Sequence, residues 1–231
     1  MLAIDGGDLN APQVLSDTDL VLGGGGRYDV GFTMPGGPVT VALDRAAARL
    51  VLSPDGRSEG SEPPEGSRFD PTVYGRPAPT PFGTASRFDC SFRLEVGQKL
   101  GFFDGKPGRQ WTLNGGIFPD VPVFIVQRGD LVKVDVVNDT GSVHPMHLHG
   151  HHMLVLSRDG TPVSGSPWWS DTLDVAPHER YEVAFRADNP GVWMDHCHNL
   201  RHAGDGLTMH LAYAGVTTPF TVGGAGRNHP E

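Results

Sequence analysis

Short runs of alternating hydrophobic and polar residues recur along the chain from about residue 84 onward. Because side chains on a β-strand alternate between two faces, such runs predict strands with one buried face. Turn residues separate the runs, as in Arg128-Gly-Asp130 and Asn189-Pro-Gly191. The number of runs and the lack of helical periodicity favour an antiparallel all-β sandwich. The strands are predicted at 88–96, 122–127, 131–137, 147–156, 179–186, 191–198 and 207–214.

The first part of the chain carries less of this pattern. Two alternating runs, 28–34 and 39–43, flank Pro35-Gly-Gly-Pro38, which predicts a hairpin. So few strands cannot close a sandwich, and residues 1–50 are interpreted as the end of a preceding domain. Residues 51–83 are rich in Pro, Gly, Ser and Glu and are predicted to be a linker, whether or not it lies against the domain. Residues 84–231 are predicted to form the complete domain.

Composition and charge narrow the function classes. Gly (32) and Pro (20) are frequent among the 231 residues, as in a loop-rich β protein. A formal net charge of -9 argues against a nucleic-acid partner, because phosphate binding needs a basic surface. No apolar run is long enough to predict a membrane span. The first residues lack the basic and apolar segments of a secretory signal, and the localisation stays open.

Two histidine clusters carry the candidate chemistry. The first is His144-Pro-Met-His-Leu-His-Gly-His-His152, and the second is His196-Cys-His-Asn-Leu-Arg-His202. If both segments are extended, His147 and His149 point to the same side of the first strand. By the same alternation, His196 and His198 share one face of the second strand, and Cys197 points to the opposite face. One tripeptide is therefore predicted to serve two metal sites.

The donor types suggest which metal each site would bind. On the Cys197 side the natural partners are His144 and His202, and two imidazoles with one thiolate suit a trigonal blue-copper site. Zinc is the rival, but structural zinc sites usually contain more cysteines. The imidazoles on the other face suit copper, zinc, iron or nickel alike.

Both clusters resemble the C-terminal copper motifs of multicopper oxidases, the laccase-like enzymes. The resemblance extends through Trp111-Thr-Leu-Asn-Gly115, Arg128-Gly-Asp130 and Trp169-Ser-Asp-Thr172. Asp5-Gly-Gly-Asp8 and Arg27-Tyr-Asp-Val30 resemble the end of the preceding cupredoxin domain of that family. The resemblance implies a cupredoxin-like Greek-key β-sandwich, preceded by an incomplete piece of a second cupredoxin domain.

The resemblance also implies a role for each ligand and copper as the cofactor. In this family the type 1 copper takes single electrons from a donor, here a phenol, an amine or a metal ion. A three-copper cluster then reduces dioxygen to water. Cys197, His196 and His198 would carry the electrons between the two centres. The ligands would be His144, Cys197 and His202 for type 1 copper, His147 for type 2 copper, and His149, His196 and His198 for the type 3 pair.

The sequence departs from the family pattern in one large respect. Residues 1–143 contain no histidine, so only half of the ligands for the three-copper cluster are present. The chain is therefore expected to be inactive as an oxidase unless a missing N-terminal domain or another chain completes the cluster. The alternative is a type 1 copper electron carrier without oxidase activity, which would have no use for the additional imidazoles.

Smaller departures concern the surroundings of the ligands. The axial position of type 1 copper, ten residues after Cys197, is Leu207, which has no donor atom and is expected not to coordinate. Met209, two residues further on, is the alternative ligand. The position that carries an acid in some bacterial members is Ala203, so the proton donor is left unassigned.

Several other residues near the motifs have less specific roles. Asp171 is expected either to hydrogen-bond a ligand imidazole or to belong to a turn. Trp168 and Trp169 either line the substrate entrance or pack in the interior. Of the five remaining histidines, His151 is predicted to be a packing or ligand-supporting residue and His152 continues the first cluster without a separate role. The others are predicted to be a core residue (His210) and surface residues (His178 and His229).

Overall fold

The computed structural model describes residues 1–43, 48–57, 65–103 and 105–219. Nearly all of its regular structure is β. The strands before residue 70 are short: β1 Ala3–Ile4, β2 Gly7–Asp8, β3 Thr18–Asp19, β4 Tyr28–Asp29, β5 Val39–Leu43, β6 Ala48–Leu52 and β7 Ser67–Arg68. The later elements are β8 Cys90–Phe103, β9 Lys106–Leu113, β10 Phe124–Val126, β11 Leu131–Asn138, β12 His144–Leu148, β13 Met153–Arg158, β14 Thr161–Pro162, β15 Trp169–Ser170, β16 Thr172–Val175, β17 Arg180–Arg186, β18 Val192–Cys197, α1 Leu200–Gly204 and β19 Thr208–Tyr213.

Two sheets form the domain. One has the strand order β10-β19-β18-β12-β16, and the other has the order β14-β13-β17-β11-β8-β9 with β15 beside β13. Alternate side chains of both sheets are buried in one hydrophobic cluster, which includes Val134 and Val183 from the second sheet and Met146 and Leu173 from the first. The predicted β-sandwich is confirmed, but it is not wholly antiparallel, because β8 pairs parallel with β11 and β10 pairs parallel with β19.

The predicted strand 147–156 is wrong, because it is two strands in different sheets. β12 ends at Leu148, and β13 begins at Met153 in the other sheet. Between them Gly150 has φ +73°, and a Cβ there would lie 2.5 Å from the Trp193 ring. A left-handed residue packed against an indole turns the chain from one sheet to the other, and only glycine fits both demands.

The predicted hairpin around Pro35–Pro38 is also wrong. Tyr28–Asp29 pairs with Ala3–Ile4, and Val39–Leu43 pairs with Ala48–Leu52. Pairing with β1 places Tyr28 beside the buried Ile4, whereas Val30 and Phe32 remain more than half exposed. Burial of β1 therefore decides the partner of β4. The residues that join β5 to β6, 44–47, lie outside the described ranges.

The N-terminal residues pack onto the domain. Met1, Ile4 and Leu9 are buried in the same hydrophobic cluster as the sandwich residues. The hydroxyl of Tyr74 lies 2.6 Å from the carbonyl oxygen of Gln13 and 3.0 Å from that of Met1.

The described part of the predicted linker also packs against the domain. Phe69 belongs to the main cluster and makes an edge contact with Tyr74, with ring centroids 5.1 Å apart. Phe82 packs with Leu154 and Leu156 in a second cluster. Residues 65–83 therefore cover the sandwich surface.

The one helix among the described residues, α1, has five residues. Within the described ranges no helix is long and apolar enough to cross a membrane.

Ile4→Ala tests whether the N-terminal residues pack on the domain in solution. Ile4 is 3% exposed, and its truncation should lower the free energy of unfolding by about 2–5 kcal/mol. Val14→Ala is the control, because Val14 is 95% exposed and its truncation should change this free energy by less than about 0.5 kcal/mol. Urea denaturation measures both. Equally small effects would contradict the packing of residues 1–9 on the domain.

Candidate metal centre

Strands β12 and β18 lie side by side and determine which side chains meet. They pair antiparallel, with Met146 opposite Cys197 and His147 opposite His196. Residues directly opposite each other project from the same face of a sheet. Cys197 therefore shares its face with Met146, and also with His144, two residues earlier on the same strand.

His144 and His147 are on opposite faces because they are three residues apart. Pro145, which lies between them, could be expected to break the strand, and that interpretation of the sequence is wrong. Pro145 lies inside β12 and pairs with Asp174 of β16, so the strand is continuous. Alternation along an unbroken strand is sufficient to separate the two histidines.

The first group, here called the sulfur site, consists of His144, Cys197 and His202. The Cys197 Sγ lies 3.7 Å from His144 Nδ1 and 3.6 Å from His202 Nδ1. One ligand atom from each residue lies within 4.8 Å of the others. Bonds of about 2.0–2.3 Å to nitrogen and sulfur, arranged trigonally, would place the donors about 3.5–4 Å apart. The spacing and the donor types both fit a copper ion held by two imidazoles and a thiolate.

His202 reaches the sulfur site from α1, in the segment between the predicted strands 191–198 and 207–214. The side chain of Asn199 caps this helix by accepting a hydrogen bond from the backbone N–H of Arg201. The backbone N–H of Cys197 donates to the carbonyl of Leu207 at 3.1 Å, which joins the end of β18 to the chain after the helix. The turn of helix thus brings His202 back to the cysteine that precedes it.

Two polar side chains fix the tautomer of His144. The amide nitrogen of Asn138 donates to the carbonyl of Ser142 at 2.7 Å, so its amide oxygen faces Thr140. The Thr140 hydroxyl donates to that oxygen at 2.7 Å, and its own oxygen lies 3.0 Å from His144 Nε2. With the hydroxyl proton engaged, His144 Nε2 must be the donor. His144 Nδ1 then presents a lone pair toward Cys197.

Burial determines the protonation of the sulfur site in the metal-free protein. Burial, followed by the effect of the neighbouring His202, lowers the pKa of His144 to about 4. Burial also raises the pKa of the Cys197 thiol to about 12. A neutral imidazole is ready to bind a metal, whereas the thiol has to lose its proton when the metal binds.

The Trp111 ring packs against both histidines of the sulfur site. The Trp111 ring lies 4.7 Å from the His144 ring and 4.6 Å from the His202 ring, between centroids. His144 is fully buried, and His202 is partly exposed. Leu207 and Met209 are both fully buried, and Met209 pairs with Asp195 of β18.

The second group, here called the imidazole group, lies on the other face and consists of His147, His149, His196 and His198. Its ring centroids are 4.7 to 5.8 Å apart. The Nε2 atoms of His149 and His196 are 3.1 Å apart. Burial, followed by the effect of His149, lowers the pKa of His196 to about 4. Imidazole nitrogens as close as those of His149 and His196 can hold a transition-metal ion between them.

Asp171 contacts the ring of His147. Of the two roles predicted for Asp171, the structure therefore shows the hydrogen bond to an imidazole. His147 Nδ1 lies 3.0 Å from the carbonyl oxygen of Asp171, 3.4 Å from its carboxylate and 2.9 Å from Thr172 Oγ1. Burial alone would lower the pKa of His147, but the contacts with Asp171 outweigh it and raise the pKa. Burial would raise the pKa of Asp171, but hydrogen bonds from His147, Arg27 and Thr172 hold it well below its usual range.

The other predicted histidines take no part in either group. His151 is buried, and its Nε2 lies 2.7 Å from the Tyr213 hydroxyl, so it is a packing residue. His210 is only half-buried, against Phe118, rather than in the core. His178 is exposed as predicted, and His229 lies outside the described residues.

Of the two neighbouring tryptophans, Trp168 packs in the interior, whereas Trp169 is partly exposed and lines a surface cavity together with His152. Trp168 is buried with its ring at right angles to Tyr181, with centroids 5.9 Å apart. Trp169 is half-buried against Phe82.

Sequence reasoning missed two polar residues beside the imidazole group, and one buried acid on the opposite face of β18. Arg27 and Asp5 were assigned only to the end of a preceding domain, although both contact the segment around Asp171. Asp195 precedes His196, and burial raises the pKa of its carboxyl to about 7. The position of Asp195 directly before His196-Cys-His198 was the sequence feature that could have drawn attention to this residue.

The pKa of His144 predicts a pH-dependent stability in the metal-free protein. The unfolded chain binds a proton at His144 below the ordinary pKa of 6.5, but the folded protein does so only below about pH 4. This contribution to stability is complete above pH 6.5 and is lost as the pH falls toward 4. Between about pH 7.5 and about pH 4.5 the wild type should lose about 3 kcal/mol more than His144→Gln, at about 1.4 kcal/mol per unit. Urea unfolding at both pH values measures this, and an equal loss in the two proteins would contradict the buried neutral imidazole.

Comparison with known proteins shows which family this chain is related to. The multicopper oxidase family model matches residues 94–215, which is more than half of the chain. The multicopper oxidase MmcO of Mycobacterium tuberculosis is 30% identical over 214 residues, which cover 87% of this chain and 40% of that protein. The iron transport multicopper oxidase FET3 of Saccharomyces cerevisiae is 34% identical over 117 residues, which cover 43% of this chain and 18% of that protein.

A solved structure supports the same conclusion. The crystal structure of the blue copper oxidase from Nitrosomonas europaea superimposes with a TM-score of 0.50 and 29% identity, over 57% of this chain and 46% of that chain. This chain thus spans less than half the length of each of these three relatives. The likeness confirms the predicted cupredoxin-like β-sandwich. With the family model matched across both histidine clusters, the chain belongs to the multicopper oxidase family.

Proposed function

We propose that this chain supplies the type 1 copper site, and half of the ligands of a dioxygen-reducing copper cluster, to a multicopper oxidase. The observation that carries the proposal is the placement of adjacent residues in two groups on opposite faces of one sheet. Cys197 faces the sulfur site, and His196 faces the imidazole group. One peptide unit therefore connects the two groups, which suits an electron relay.

In the sulfur site, His144, Cys197 and His202 would hold type 1 copper. Copper bound there would exchange single electrons between a donor outside the protein and the second centre. His144 is buried, whereas His202 is partly exposed beside Trp111. The donor is therefore expected to approach at the His202 edge. We propose a phenol, an amine or a metal ion as the donor, and the iron transport oxidase FET3 is a related protein named for a metal ion.

In the imidazole group, His147 would bind type 2 copper, and His149, His196 and His198 would bind the type 3 pair. Residues 1–143 contain no histidine, so the remaining imidazoles have to come from another domain or another chain. We therefore propose that the chain alone does not reduce dioxygen.

The second candidate is a type 1 electron carrier without oxidase activity. A carrier needs only the sulfur site. The convergence of four imidazoles in a second group, with two Nε2 atoms 3.1 Å apart, favours the oxidase role over the carrier.

Copper loading of matched cysteine variants tests the proposal. The wild type should take up copper with the intense blue absorption of a copper–thiolate bond, and it should bind further, non-blue copper in the imidazole group. Cys197→Ser should lose the blue absorption. Cys90→Ser should keep it, because Cys90 lies in the other sheet with its sulfur 3.3 Å from Asp130. Metal analysis and optical spectra measure copper binding. An oxygen electrode measures oxygen uptake, which the chain alone should not show.

Two results would count against the proposal. If the Cys197→Ser protein remains blue, Cys197 does not bind the type 1 copper, and the sulfur site is not the type 1 site. A wild type that binds one copper per chain would favour the carrier.

The residue at the axial position provides a second test. Leu207 has no donor atom, so a type 1 copper here should have a higher reduction potential than one with an axial methionine. Leu207→Met should therefore lower the potential, measured by redox titration of the blue absorption. Met209→Leu is the control and should leave it unchanged. A shift with Met209→Leu alone would show that Met209 is the axial neighbour.

A further inference from the structure

A loop from the N-terminal part of the chain lies directly on the imidazole group. This loop, here called the glycine loop, is Gly23-Gly-Gly-Gly-Arg27. A Cβ on Gly25 would lie 2.6 Å from Cδ2 of His198, and a Cβ on Gly24 would lie 2.9 Å from the carbonyl oxygen of His198. Gly25 also has φ +83°, which L side chains rarely adopt. The loop therefore limits the space available to the His198 ring.

Arg27, at the end of the same loop, binds the segment that supports His147. Its guanidinium donates to both carboxylate oxygens of Asp171, at 2.9 and 2.7 Å. The same group donates to the carbonyl of Asp5 at 3.1 Å, and the backbone N–H of Arg27 donates to the Asp5 carboxylate at 2.9 Å. That carboxylate also accepts from the backbone N–H of Thr172 at 3.2 Å. Asp5 and Arg27 thus hold residues 171 and 172 from two sides.

This contact continues to the metal-binding atom of His147. The carbonyl of Asp171 can only accept a hydrogen bond, so His147 Nδ1, 3.0 Å away, carries the proton. His147 Nε2 is then the atom that offers a lone pair. A rigid bidentate arginine–carboxylate pair fixes direction as well as distance. Arg27 therefore acts on His147 through Asp171, without touching the ring.

We propose that the glycine loop is a positioning element for the imidazole group, with Gly25 setting the place of His198 and Arg27 setting that of His147. The inference rests on the proposed function in assigning copper to this group. It means that the domain alone, without residues 1–29, would hold these ligands less firmly. Partners that orient metal ligands in this way typically change metal affinity by about 10–100-fold when they are removed.

Arg27→Gln tests the contact that runs from Arg27 through Asp171 to His147. In the metal-free wild type, nitrogen NMR should show His147 with its proton on Nδ1, and in the variant this single tautomer should give way to a mixture. The affinity of the imidazole group for Cu²⁺, measured by paramagnetic resonance after the sulfur site is filled, should fall by about tenfold or more. The blue absorption of the sulfur site should not change. Arg57→Gln is the control, because Arg57 pairs with Asp55 and neither residue contacts the imidazole group.

Gly25→Ala tests the contact between Gly25 and the His198 ring. Gly56→Ala is the matched control, because Gly56 has φ +79° and nothing lies within 4 Å of its added Cβ. Both substitutions introduce the same backbone strain, but only the first meets an imidazole. Gly25→Ala should shift the NMR signals of the His198 ring and weaken Cu²⁺ binding to the imidazole group, and Gly56→Ala should do neither.

The outcomes separate this inference from the proposed function. Unchanged His147 and His198 signals in Arg27→Gln and Gly25→Ala would overturn the positioning role, whatever metal the wild type binds. Failure of the wild type to bind non-blue Cu²⁺ would count against the proposed function, while the NMR of the metal-free protein would still decide the role of the loop. If Arg27→Gln does not fold, Arg27→Lys removes the bidentate geometry and keeps the charge, and an unaltered His147 tautomer there would overturn the inference.

Discussion

The pairing register between β12 and β18 is the constraint on which the rest of the structure depends. Met146 opposite Cys197 and His147 opposite His196 assign a thiol to one face of the sheet and an imidazole to the other. A slip of one residue would move every side chain of one strand to the opposite face. The sandwich prevents this slip, because Met146 and Cys197 are buried in the core. The same packing that stabilises the fold therefore separates the sulfur site from the imidazole group.

The N-terminal residues contribute to both the core and the site. Met1, Ile4 and Leu9 add apolar contacts to the sandwich, and residues 23–27 reach the imidazole group. The hydrophobic contacts hold the segment in place, and the Arg27–Asp171 pair uses that position to orient a ligand. A buried or half-buried ion pair adds little stability by itself, but it gives direction. The segment that the sequence predicted to end a preceding domain thus lies against the candidate metal centre.

The features that depend on local alternation of side chains could be predicted from the sequence. The features that depend on contacts between residues far apart in the chain could not. Parity along two strands was sufficient to place His147, His149, His196 and His198 on the face opposite Cys197, whereas His202 reaches Cys197 from helix α1. It could not show the turn at Gly150, because that turn depends on Trp193 from another strand. Helix α1 is too short for its periodicity to be visible. The role of Arg27 was hidden because its partner is 144 residues away.

Anomalous X-ray diffraction at the copper edge, on crystals of the copper-loaded chain, tests the central claim most directly. We expect one copper peak bonded to Cys197 Sγ, His144 Nδ1 and His202 Nδ1. A separate peak should lie among the Nε2 atoms of the imidazole group, on the opposite face of the sheet. Copper bonded to Cys197 together with His196 or His198 would contradict the account, because one ion would then bind side chains that the strand directs to opposite faces.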